Sequence, residues 1–460
     1  MLIRFNVKNF LSFSAREDNQ SEEFSMIAGK VRSKKEHVAD DGKIKLLKFA
    51  AVYGANASGK SNLVKAIDFM KRTVETGLPS GYTDLYCRME EKNKKKASYF
   101  EVEIKLKDQY FAYGFEVILN KGEFLSEWLI ELMPDNKEKL IFSRDIQEGS
   151  YELGGYLKTK GLIDKLEVYI EDIQDDSSAL FLTIMNRNKR NFYQNYNRSV
   201  VLRDVYEWFT NCLNVNFPDE MISDYSYMAK DDNIEDICNM IAAFGTGIDN
   251  FQMVDITMEQ LFSHLPDEGL EKLRTVLQKD IAMMKSGIEL KNISHIMRTR
   301  RDLFIIYIDS VEEVTLKKII FSHNKSKALF ELSEESDGTV RILDLLEILL
   351  SDEGKTYVID ELDRCLHPSL TYKFVDTFLK LAAQKNIQLI VTTHESRLLD
   401  FDLLRRDEIW FIDKRKDGES DIYSLEEYNA RFDQKIDKAY LEGRYGGVPI
   451  FSTVFPIEEA

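Results

Sequence analysis

The chain has 460 residues, 44% of them hydrophobic, and its 62 basic and 79 acidic residues leave a formal net charge of −17. That is ample apolar chain for a large core, its length suits two or three structural units, and its acidity excludes a generally basic protein that coats nucleic acid. No run approaches the roughly 20 apolar residues that span a bilayer, and Met1 to Val7 lack the pattern of a signal peptide, so a cytoplasmic, soluble protein without membrane contact is expected.

At the start, Ile3, Phe5 and Val7 alternate with Arg4, Asn6 and Lys8, which predicts a half-buried strand. A polar stretch from Ser14 to Lys45 follows. The almost continuous apolar run Leu46–Tyr53 then predicts one strand buried on both faces, as in a parallel sheet. It ends at Gly54, after which Leu63, Ile67 and Met70 recur at helical spacing. From Tyr99 to Leu132 the period is two, with turns at Lys107-Asp108-Gln109 and Asn120-Lys121-Gly122, so an antiparallel meander is expected. Residues 161–291 read as a compact helical insertion: Val201, Val205, Trp208 and Phe209 mark one helix, and Leu270, Leu273, Leu277, Ile281 and Met284 another. That second stripe covers about two heptads, too few for coiled-coil arms. The last third alternates buried strands (Tyr357–Ile359, Ile387–Thr392, Ile409–Ile412) with amphipathic helix, the pattern of a parallel sheet flanked by helices. The expected boundaries are 1–160, 161–291 and 292–460.

Four cysteines, Cys87, Cys212, Cys238 and Cys365, form no CxxC pair, so reduced thiols and no zinc site are expected. Gly54-Ala55-Asn56-Ala57-Ser58-Gly59-Lys60-Ser61 matches the phosphate-loop pattern GxxxxGK[ST] in full. Glycines let such a backbone curl its N–H groups onto phosphate oxygens, and the following helix directs its positive end there. Asn56, Ala57, Ser58, Gly59, Lys60 and Ser61 are therefore assigned to ATP, with the Ser61 hydroxyl on Mg²⁺. The strand Thr356–Ile359 ends in Asp360-Glu361, where Asp360 would hold the Mg²⁺ shell and Glu361 would polarise the attacking water. His394 follows another strand in the same way and is a candidate for contact with the γ-phosphate or the water.

In order and spacing, these elements resemble an ABC-type ATPase of the SMC/RecF/OLD lineage. Val7-Lys8-Asn9-Phe10-Leu11-Ser12-Phe13 is similar to the strand such proteins place before the phosphate loop. Glu334-Glu335-Ser336-Asp337-Gly338-Thr339 resembles their signature motif, although the doubled glycine is missing. By that resemblance, Ser336 and Gly338 cap the γ-phosphate held by the opposite subunit, and Asp363 falls in the D-loop. The implied fold is α/β, a P-loop NTPase head of ABC type with an antiparallel β subdomain and a helical insertion. The chain also resembles the stand-alone bacterial "AAA family ATP-binding proteins" of phage-defence and abortive-infection loci, down to Tyr440-Leu441-Glu442-Gly443-Arg444. That resemblance implies an ATP-dependent homodimer or larger assembly controlling a nuclease-like partner of the RloB or Toprim type. Two alternatives stay open: a RecF-like DNA-repair ATPase, and an ATP-locked scaffold with little turnover. No Q-loop glutamine can be placed, Gln109 lying in a turn, and Asp400-Phe401-Asp402 reads as a solvated turn. Arg187, Lys189 and Arg190 beside Phe192 and Tyr193, and Arg298, Arg300 and Arg301, leave nucleic-acid contact open.

Overall fold

The computed structural model describes residues 1–14, 21–133, 137–159, 161–223, 225–229, 234–264, 271, 275, 293–299, 302–308, 314–323, 326–351, 353–427 and 436–441. The chain divides into two compact units, Met1–Pro218 with Asp352–Asp363 and Val375–Ala460, and Asp219–Ser351 with Arg364–Phe374. The predicted stripe from Leu270 to Met284, Arg300, Arg301 and the segment from Glu442 lie outside the described residues.

The first unit is built on two sheets. One runs in the order Leu213–Asn216, Thr356–Ile359, Gln388–Thr392, Phe49–Tyr53, Ile409–Lys414, Ser420–Ser424. Its first five strands are parallel and the last returns antiparallel. The three central strands, rich in Val, Ile and Tyr, are buried at every position, as expected of a sheet covered on both faces. The other sheet is antiparallel, in the order Ser150–Leu153, Lys137–Asp145, Glu123–Met133, Gln109–Ile118, Ser98–Leu106, Leu2–Lys8, Glu22–Ser25. Ser98–Leu106 alternates buried and half-buried residues, so the meander read from the sequence is present, with two further strands.

Helix Lys60–Thr76 buries Leu63, Val64, Ile67, Met70 and Val74 in the core that joins these sheets. Phe69 on that helix packs at 5.2 Å from Phe10 and 5.0 Å from Phe100 of the meander. Fixed ring contacts of this kind lock the helix that carries the phosphate loop to the antiparallel sheet. A fully buried ion pair adds a second lock. Arg144 reaches Glu127 at 3.2 Å and the carbonyls of Ala179, Asp176 and Ile173, while Glu127 accepts the backbone N–H of Phe181 and Leu182 and the Tyr113 hydroxyl. The carboxylate is thus satisfied largely by the start of helix Phe181–Asn186 and the guanidinium's two terminal nitrogens by the carbonyls before it, while Arg144 Nε stays without a hydrogen bond among the described residues.

Two expectations are corrected. The apolar run Leu46–Tyr53 is two strands: Lys45–Leu47 pairs with Val38–Asp40, and Phe49–Tyr53 enters the parallel sheet. The break is Lys48, whose buried ammonium donates to the carbonyls of Ala382 and Ala383 at 2.5 and 3.3 Å. Gln109 opens a strand and bonds Glu131 at 2.7 Å. Within residues 161–291, read as a helical insertion, helices Leu162–Glu171 and Val200–Glu207 lie in the first unit, and strand Ile248–Asp255 lies in the second.

The second unit carries an antiparallel sheet in the order Ile248–Asp255, Val314–His323, Leu303–Ile308, Ile293–Arg298, with Leu329–Phe330 pairing Val314–His323. Helix Asp337–Leu350 buries Ile342, Leu343, Leu345, Leu346, Ile348 and Leu349. No helix among the described residues is long and apolar enough to cross a membrane.

Candidate functional site

The loop from Gly54 leaves the central strand of the parallel sheet and enters helix Lys60–Thr76. Its backbone is of a kind only some residues permit. Gly59 sits at φ +115°, and a Cβ there would lie 2.5 Å from Ser420 Oγ and 2.8 Å from Ser12 Oγ. At Gly54 a Cβ would meet the carbonyl of Ile412 at 2.4 Å. Close approach therefore dictates both glycines, and at Gly59 the positive φ does so as well. Ser420 braces the loop from outside, its Oγ donating to the Ser58 carbonyl at 2.5 Å; Ser12 ties Ser420 to the following helix, its carbonyl accepting the Ser420 N–H at 2.9 Å and its Oγ accepting Asn62 Nδ2 at 2.8 Å.

Within the loop, Asn56 and Ala57 are exposed and Ser61 is half-buried. Lys60 is folded back, its Nζ donating to the carbonyls of Gly54 at 2.7 Å and Ala55 at 3.1 Å. Burial lowers its pKa to about 8, against the opposing pull of Asp360, Asp363 and Glu361. The Ser58 hydroxyl is buried and makes no hydrogen bond among the described residues.

The acids all follow the end of strand Thr356–Ile359, and two threonines at the end of its neighbour Gln388–Thr392 hold them. Thr392 lies one position beyond the Val391–Ile359 register pair, opposite Asp360. Its hydroxyl donates to Asp360 Oδ1 at 2.5 Å and accepts the Glu361 N–H at 2.8 Å. Thr393 Oγ1 donates to Asp363 Oδ1 at 2.6 Å, and the same oxygen accepts the His394 N–H at 3.2 Å. Glu361 adopts φ +50°, a left-handed conformation that costs a non-glycine residue about 1–2 kcal/mol and aims its side chain out of the strand direction. Partial burial lowers the His394 pKa and the Lys60 charge lowers it further, so its ring is neutral at pH 7.

Asp360, Glu361, Asp363, His394 and Lys60 are thus gathered where adjacent parallel strands end. Thr392, Thr393, Ser12, Asn62 and Ser420 were not singled out from the sequence. The only local sign was the pair of threonines before His394, and Ser420 is separated from the loop by some 360 positions.

These residues suit a triphosphate with Mg²⁺. An ammonium that meets only carbonyl oxygens, a buried hydroxyl without a partner, and exposed loop backbone at a helix start form an anion cradle. Ser61 and Asp360 offer hard oxygen donors. Among the described residues there is no cluster of three metal-ligating side chains, and Mg²⁺ characteristically takes one or two protein oxygens and completes its shell with phosphate and water.

Ser336 and Gly338 lie in the second unit. Ser336 is the N-cap of helix Asp337–Leu350, its Oγ accepting the Thr339 N–H at 3.1 Å. A Cβ at Gly338 would lie 3.0 Å from the Cys365 carbonyl. Just before them, Glu335 is bonded to His323 at 2.6 Å.

Three solved structures are distant likenesses, all with TM-scores under 0.5. They are an Smc head bound to the C-terminal winged-helix domain of ScpA (16% identity, 93% of this chain and 99% of that chain, TM-score 0.42); the SMC head domain from Thermotoga maritima (12%, 92% and 98%, 0.35); and an Smc head with an extended coiled coil bound to the C-terminal domain of ScpA, from Pyrococcus furiosus (16%, 96% and 99%, 0.39). No curated protein matches the chain. A family model described as "AAA domain, putative AbiEii toxin, Type IV TA system" matches residues 49–155 and 262–400, more than half of the chain. The first segment holds the phosphate loop and the second holds Ser336, the acid pair and His394, and on that match the chain belongs to this AAA-domain family.

Proposed function

We propose that the protein is an ATP hydrolase that works as an ABC-type homodimer, and that its nucleotide state controls a partner effector in bacterial anti-phage defence. One observation carries the enzymatic part: Lys60, Asp360, Glu361, Asp363 and His394 converge at the ends of three adjacent parallel strands, with the acids held by Thr392 and Thr393. The family description names a toxin of a type IV system, which supports a paired partner and a role in such a two-component device.

In this reading the loop backbone and Lys60 bind the β and γ phosphates, and Ser61 and Asp360 hold Mg²⁺. The bound metal supplies neutralisation of charge on the transferring phosphoryl group. Glu361, poised by its left-handed backbone, orients the attacking water and accepts its proton, a role worth about 10²–10⁴ in rate. Neutral His394 offers a ring nitrogen to the same water or to phosphate. Ser336 and Gly338 of a second copy close the site at a helix N-terminus, where an anion is favoured.

Glu361→Gln tests this. It keeps the shape and removes the base. ATP should bind with little change, while turnover falls at least 100-fold and a dimer accumulates with ATP in light scattering. Turnover at the wild-type rate would move the base to another residue, and the absence of any ATP-dependent association would leave the dimer without support.

A further inference from the structure

Between Asp176 and Asp204 the chain contains no acidic residue, although 79 of its 460 residues are acidic, about one in six. The same span carries Arg187, Lys189, Arg190, Arg198 and Arg203, and all of it lies in the first unit. Arg187, Lys189 and Arg198 form no ion pair among the described residues, so in a chain of net charge −17 these cations are left without carboxylates. They are also held in place. Lys189 Nζ stands 3.8 Å over the ring of half-buried Tyr169, and Arg198 lies over Tyr156, donating to its carbonyl at 3.3 Å. Ring contacts run on from Tyr169 to Phe192 at 5.9 Å and from Phe192 to Tyr196 at 5.2 Å, two positions before Arg198. Cations fixed on rings lose little freedom when they meet an anion, which favours binding.

The other exposed side chains here include Asn188, Gln194 and Asn197, amides that can bond base edges. Helix Arg190–Asn195 has six residues, too short to fill a major groove, whereas exposed amides between fixed cations suit the open edges of unpaired bases. This span, with Tyr206 just beyond it, caps the phosphate-loop helix. Thr183 Oγ1 donates to the Val74 carbonyl at 2.7 Å, Tyr206 OH to that of Glu75 at 3.2 Å, and Arg187 to that of Thr76 at 3.0 Å. The last carbonyls of the helix that begins at Lys60 are therefore satisfied from this surface.

We infer that residues 186–198 form a docking surface for single-stranded nucleic acid, and that Arg187 couples its occupancy to the phosphate-loop helix. Docking itself stands apart from the ATPase reading, and only the coupling rests on it.

The test uses the full chain without nucleotide and fluorescence anisotropy with labelled 20-nucleotide single-stranded RNA and DNA, the matching duplex, and poly-aspartate. Lys189→Glu/Arg198→Glu should weaken single-strand binding at least tenfold and flatten its salt slope by about 1.4 for two lost phosphate contacts. Lys121→Glu, at a turn where that side chain is 58% exposed, should leave binding within twofold. Lys189→Gln/Arg198→Gln, with matched circular dichroism, should show an intermediate loss and so separates charge from misfolding. Absent binding by the wild type, equal loss in Lys121→Glu, or tighter binding of the duplex or of poly-aspartate would each overturn the docking surface. If docking holds, adding the oligonucleotide should change ATP turnover of the wild type and not of the double variant. Unchanged wild-type turnover would overturn the coupling alone, and no turnover at all would count against the ATPase reading and not the surface.

Discussion

Thr392→Val is the sharpest probe of how the candidate catalytic acids are held, because it preserves shape and β-propensity and removes one hydroxyl. That hydroxyl donates to the Asp360 carboxylate at 2.5 Å and accepts the Glu361 N–H at 2.8 Å. A hydrogen bond to a charged group contributes about 1.5–3 kcal/mol, and a neutral one about 1 kcal/mol, so the expected loss is roughly 2–4 kcal/mol. Thr392→Ser keeps both bonds and loses only a methyl group, about 1 kcal/mol. Urea unfolding should rank wild type, serine and valine in that order. The functional effect should be the larger one, because the bond also pins Glu361 at its strained φ of +50°. Freed from it, the carboxylate shifts, and a displacement near 1 Å can cost about 10²-fold in rate. Steady-state ATP turnover should show kcat falling about 100-fold in Thr392→Val with KM changed less than threefold, and both within threefold in Thr392→Ser. Equal damage from serine and valine would show that packing, and not the hydroxyl, matters at this position. A valine variant with full turnover would refute the role given to Thr392.

Two further predictions concern the loop and the second unit. The Lys60 pKa is lowered to about 8 by burial. Below that pH its ammonium is already charged for phosphate, and above it the amine must first take up a proton, so ATP affinity should fall as pH rises. Calorimetric Kd should weaken about tenfold between pH 7 and 9, and much less in Lys60→Arg, whose guanidinium does not titrate there; a wild-type Kd that is flat across this range would contradict the lowered pKa. Ser336→Asp keeps the helix cap, since aspartate serves an N-cap as well as serine does, and sets a negative charge where the dimer reading places a phosphate. Its unfolding free energy should stay within about 0.5 kcal/mol while turnover falls at least tenfold, and mixing it with Lys60→Ala should recover part of the activity; turnover at the wild-type rate would leave Ser336 a helix cap only.

The candidate site was legible where it is made of consecutive residues. Gly54–Ser61 and Thr356–Glu361 each carry strand, turn and chemistry in one stretch, and the burial of the strands follows from their unbroken Val, Ile and Tyr content. What escaped was whatever depends on a distant partner. Lys48 interrupts an apolar run because two helix-end carbonyls more than 330 positions later accept its ammonium. Ser420 and Ser12 look like ordinary turn residues until they are seen against Gly59. The strand Ile248–Asp255 was absorbed into the predicted helical insertion because its burial pattern lacks a clean alternation. Its pairing with Val314–His323 makes it a strand.

The order of strands in the parallel sheet bears on how the protein comes into being on the ribosome. The phosphate-loop strand Phe49–Tyr53 is flanked by Gln388–Thr392 on one side and Ile409–Lys414 on the other. Gln388 also ties in Leu2 and Leu47 through buried hydrogen bonds spanning up to 386 positions. During synthesis, therefore, the strand Phe49–Tyr53 must wait unpaired until its neighbour in the sheet, whose Leu389 pairs with Phe49, has been made. Such long-range parallel pairing is slow and exposes the nascent chain to aggregation, so chaperone engagement is expected over that interval.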